Sequence, residues 1–143
     1  MKNTILVLSL FFNALLFSSE GFEKYDDGFY CGNTNQLDTL QIKMGSTVLN
    51  NFFIQETSSW VISTAKVAEL NFTATNRSSS NSYINLQVIG FDKEDYVIFA
   101  MSGGPMFDMV GSNSAVSETI DTYVRPGVVR NIDLICIGAF GGS

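Results

Sequence analysis

The chain has 143 residues, 45% apolar and 15% charged, with 8 basic against 14 acidic side chains and no histidine. That length and apolar fraction fit one folded domain with its own core and exclude a disordered chain or a two-domain arrangement. The missing histidine removes Ser-His-Asp and Cys-His nucleophiles and the common zinc sites, and a net charge of -6 with scattered basic residues excludes a phosphate-tracking surface. No enzyme activity, cofactor, metal or direct nucleic-acid binding is therefore expected.

The first element is a targeting segment. Met1-Lys2-Asn3 is short and positive, and Ile5 to Phe17 then runs apolar with only Ser9 and Asn13 interrupting. Small residues Ser18, Ser19 and Gly21 follow, so the sequence predicts a signal peptide over 1–21 and a mature domain over 22–143. The apolar run is shorter than the roughly 20 residues that cross a hydrocarbon core, and no membrane span is expected.

Next come Phe22, Tyr25, Phe29 and Tyr30, without clear alternation, which are read as core or as cover for a sheet edge. Cys31 follows, and its only possible partner is Cys136 near the other end. The oxidising secretory route favours one bridge between them, and two separate buried thiols are the alternative. Closing so long a loop stabilises by up to about 4.7 kcal/mol through chain entropy.

From here period two dominates, and eight strands are predicted: Thr39 to Met44, Thr47 to Gln55, Trp60 to Thr64, Val67 to Thr75, Tyr83 to Phe91, Tyr96 to Met101, Ala115 to Val124 and Val128 to Ile137. The fold class is all-β, an antiparallel sandwich of about eight short strands. Asn71 and Asn76 each open a glycosylation sequon, Asn71-Phe72-Thr73 and Asn76-Arg77-Ser78. Alternation around Ala68, Leu70, Phe72 and Ala74 turns Asn71 to solvent, and Asn76 is read as the start of an exposed serine-rich loop. Ile84, Leu86 and Val88 share a core face. Asp92, Glu94 and Asp95 are solvated acids of a hairpin turn, lacking the glycine spacing of a calcium loop. Ser102-Gly103-Gly104 lacks a nucleophile-elbow order and a Walker lysine, so its glycines are assigned to backbone shape. Arg125-Pro126-Gly127 fits a type II turn. The last strand, apolar on both faces, is expected at a sheet centre, and the tail Gly138 to Ser143 is expected to fray unless Phe140 docks.

One ordered set goes further. A strand ending Ile89-Gly90-Phe91-Asp92, an acidic turn, the strand Tyr96 to Met101 and then Ser102-Gly103-Gly104-Pro105-Met106-Phe107 resemble the insect family named for multiprotein bridging factor two. The counterparts are Asp92, Ser102, Gly103, Gly104 and Phe107, with the run Ile132 to Phe140 as the closing strand. The stretch Gly111 to Thr122 departs from the Arg- and Gly-containing pattern of that family. The resemblance implies a small non-enzymatic protein, and the family name implies a transcription coactivator that bridges a nuclear receptor partner and general transcription factors. With the leader, the expectation is a secreted insect β-sandwich protein that acts in an extracellular fluid as a monomer or weak dimer, on an unknown protein partner or a small apolar ligand. The coactivator is the alternative.

Overall fold

A computed structural model describes residues 21–105 and 108–142 of the chain. The predicted signal peptide, Gly21 apart, lies outside the described residues, as does Phe107 of the family motif. Among the described residues ten strands form two antiparallel sheets: β1 Glu23–Lys24, β2 Phe29–Gly32, β3 Ile42–Met44, β4 Thr47–Ser58, β5 Lys66–Asn76, β6 Ser82–Phe91, β7 Val97–Gly103, β8 Met109–Val110, β9 Ser114–Val124 and β10 Leu134–Gly142. One sheet runs β1-β2-β10-β6-β7, with β8 also paired to β6, and the other runs β3-β4-β5-β9. The all-β sandwich read from the sequence is the fold.

The core lies where alternation directs side chains inward. Leu49 and Phe52 of β4, Ala68, Leu70, Phe72 and Ala74 of β5, Ile84, Leu86 and Val88 of β6 and Ile135 and Ile137 of β10 are all buried. Phe52 and Phe72 stack with ring centroids 5.9 Å apart. The β10 strand lies between β2 and β6, the central position that its two apolar faces predict. A 3-10 turn at Thr34–Thr39 carries the chain from one sheet to the other and buries Leu37 and Leu40 beneath it.

Several boundaries differ from expectation. The segment 60–64 is not a strand: β4 and β5 pair as far as Ser58 with Lys66, and the residues between form an exposed loop. The third predicted strand thus merges into one hairpin, because cross-strand registry, not β-branched composition, decides where pairing stops. The final strand starts at Leu134 rather than Val128, since Val129–Asn131 winds into a 3-10 turn. It extends to Gly142, and Phe140 docks edge-on against Phe29 at 6.0 Å. The Arg125–Val128 turn has Gly127 at φ +85° with a Val128 N–H to Arg125 carbonyl bond of 3.3 Å, as a type II turn requires. Phe22 and Tyr30 pack on the core, whereas Tyr25 stays exposed. The long edge strand β9 points Glu118 into the inward register opposite Phe72, a charge that opposes addition of another strand.

Candidate functional site

At one end of the sandwich the β6–β7 hairpin turn faces the β9–β10 connection across a cleft of about 650 Å³. Its walls carry Asp92, Lys93 and Glu94 on one side and Arg125, Arg130 and Asp133 on the other, over an apolar floor of Ile98, Val128 and Ile132. Three of the chain's eight basic side chains meet there. Among the described residues the one ion pair is Lys93–Glu94 at 3.5 Å, both exposed, so Arg125 and Arg130 present guanidinium groups that no carboxylate pairs. A guanidinium offers a planar fork of donors to a carboxylate, sulfate or phosphate.

Local chemistry builds each wall. Asp92 Oδ1 accepts from the N–H groups of Glu94 and Tyr96 at 3.0 Å each, and the Asp92 N–H donates to the Tyr96 carbonyl at 3.0 Å, closing the hairpin. The other wall is clamped from the second sheet. Both oxygens of the Glu56 carboxylate accept from the Gly127 N–H, at 2.9 and 3.0 Å, and Oε2 also accepts from Val129 at 3.3 Å. Sequence reasoning passed over Glu56, Arg125 and Arg130, because nothing in their local pattern shows that a strand and a distant loop converge.

Of the motif positions after Asp92, Ser102, Gly103 and Gly104 lie outside the cleft. Ser102 is exposed on β7. A Cβ at Gly103 would press on the Ile120 side chain at 2.9 Å, and one at Gly104 would collide with the Ile84 carbonyl. Their glycines therefore serve close approach of backbone and core, as read from the sequence.

Cys31 and Cys136 are directly opposite in the β2–β10 ladder and form a disulfide across a separation of 105 residues. The sequons divide. Asn71 lies on the outer face as alternation predicts, its Oδ1 accepting from Thr119 Oγ1 at 2.6 Å, but its Nδ2 is covered. Asn76 contradicts the expectation of an exposed loop: it is 1% exposed. Its Nδ2 donates to the carbonyls of Ser80 at 2.7 Å, Val110 at 3.2 Å and Gly111 at 3.1 Å, and its Oδ1 accepts from the N–H and hydroxyl of Ser78, both at 2.9 Å. This side chain ends a strand and ties it to the serine loop and to β8, which leaves its amide no room for a glycan.

Core side chains of both sheets pack against one another between the sheets, and the end cleft sets charged walls over an apolar floor. Among the described residues no helix is long and apolar enough to cross a membrane. These features define a disulfide-linked two-sheet sandwich with a charged cleft at one end. No family model, curated protein or solved structure matches the chain.

Proposed function

We propose that the chain is a secreted, non-enzymatic insect binding protein of the multiprotein bridging factor two type, acting in an extracellular fluid. The observation that carries this reading is the Cys31–Cys136 disulfide, which ties the first hairpin to the central strand of the larger sheet. Such bridges persist in oxidising compartments and are rare in the cytosol and nucleus. The leader sequence supports the same route. A nuclear coactivator, the role in the family name, has to fold with these two cysteines reduced. The end cleft supports a partner that offers a carboxylate or similar anion to Arg125 and Arg130, and it suits a polar protein surface better than an apolar small molecule.

The test is non-reducing mass spectrometry of the full chain expressed in insect cells, with medium and lysate sampled separately. The expected species is in the medium, starts near Phe22, contains one disulfide and carries no sugar on Asn76. A full-length chain with free thiols confined to the lysate refutes secretion and restores the coactivator.

A further inference from the structure

The β4–β5 hairpin ends in apolar side chains that the fold leaves in water. Trp60 is 95% exposed, Val61 58% and Ile62 42%. Single exposed apolar residues are ordinary, but three in succession on a protrusion mark a contact surface. Val67 and Tyr123 stand opposite each other on β5 and β9 at the base of this hairpin, and Tyr123 is itself exposed, which extends the apolar surface.

The loop holds its own shape. Ser59 Oγ accepts from the N–H groups of Val61 at 3.2 Å and Ile62 at 2.9 Å, the Ala65 N–H donates to the Ile62 carbonyl at 3.1 Å, and Lys66 Nζ donates to Ser58 Oγ at 2.9 Å. Two amides at the apolar tip are thus satisfied from within. A protein partner can supply acceptors to open amides, whereas hydrocarbon cannot, so this internal bonding suits entry into lipid. In sequence the tip is flanked by the hydroxyl residues Thr57, Ser58, Ser59, Ser63 and Thr64, and the only charge from 57 to 66 is Lys66. Arg125 follows the Lys66–Val124 pair directly and shares the end cleft with Asp92, Glu94 and Asp133, while Glu69 and Asp121 border Trp60, so this end of the molecule carries both signs of charge, as a zwitterionic headgroup does.

We propose that the Trp60-Val61-Ile62 tip inserts into the boundary between headgroups and acyl chains of a phosphatidylcholine-type surface. The indole sits with its ring in the apolar layer and its N–H in the wet one, and the hydroxyl collar and Lys66 meet the headgroups. The net charge of -6 directs the protein to zwitterionic rather than anionic bilayers.

Trp60 is the chain's single tryptophan, so its fluorescence reads the contact directly. Titrating the native, disulfide-linked chain with phosphatidylcholine vesicles is expected to shift the emission to the blue, with quenching by lipids brominated on the acyl chains. The exposed double variant Val61→Ser/Ile62→Ser keeps the probe and is expected to lower the partition coefficient at least about tenfold, since two apolar side chains no longer leave water. Near-ultraviolet circular dichroism checks that its fold is kept. Emission unchanged up to millimolar lipid, or a shift undiminished in the folded double variant, overturns the proposal. Because secretion is read from cleavage and disulfide state, failure of that reading and failure of this one are separate results.

Discussion

Asn76 is one amide that organises three stretches of chain. It donates to carbonyls in the serine loop, in β8 and just after it, and accepts from Ser78, the bond to Val110 buried and the others part-buried. Truncation to alanine leaves the buried Val110 carbonyl and the part-buried groups of Ser80, Gly111 and Ser78 each short of one partner, and an unsatisfied buried group costs about 1–3 kcal/mol. The Asn76→Ala variant is expected to lose about 1–3 kcal/mol, read as a lower denaturant midpoint at unchanged slope. Asn76→Asp, of nearly the same shape, is expected to fail as well, because a carboxylate oxygen would then face carbonyl oxygens. The residue was visible in the sequence, but its role was not. An Asn-x-Ser triplet reads identically whether the amide carries a sugar or closes a loop, and only the positions of Val110 and Gly111, more than thirty residues away, distinguish them.

At the scale of elements, the hairpins and their connections show where pattern is sufficient and where it is not. The β5 and β6 strands were legible almost to the residue, because each is long and buries every second side chain. The short strands β1, β2 and β8 were missed, since two to four residues carry no period and become strands only by pairing with a neighbour. Residues 60–64 misled in the opposite direction: their composition is that of a strand, but the Ser59 hydroxyl and the end of the β4–β5 ladder make them a loop. The Glu56 clamp on the β9–β10 connection is a long-range contact of the same kind. Charged hydrogen bonds of this type contribute about 1.5–3 kcal/mol each, less where water competes, so Glu56→Ala is expected to destabilise by about 1–3 kcal/mol. Hydrogen exchange is the sharper measurement. The amides of Gly127 and Val129 should exchange faster in that variant while those of β6 do not, and equal rates in the two proteins would remove the clamp from the account.

For the whole molecule, the disulfide decides how firmly the first hairpin is held. The β2 strand pairs with β10 at four positions, and β1 pairs only with β2, so without the bridge this edge depends on a short ladder and on the packing of Phe22 and Tyr30. Joining residues 105 apart removes much of the freedom of the unfolded chain. Cys31→Ala/Cys136→Ala is expected to cost about 2–5 kcal/mol, with β2 amides losing protection from exchange before those of β5. Uniform loss across both sheets would show that the bridge supports the sandwich as a whole rather than this edge.

By itself the sequence determined the class: apolar residues at period two, separated by turn residues, have no low-energy arrangement except sheets whose inner faces bury one another. It also determined the core faces of β5 and β6, the central place of β10, the type II turn at Gly127 and the only possible cysteine pair. Tertiary structure alone decided that Asn76 is enclosed, that Glu56 reaches the loop before β10, that Arg125 and Arg130 line one cleft with Lys93, and that Trp60 meets water. The reason is physical. Facing direction along a strand is set by adjacent residues, whereas enclosure, convergence and exposure depend on what distant segments bring to the same place.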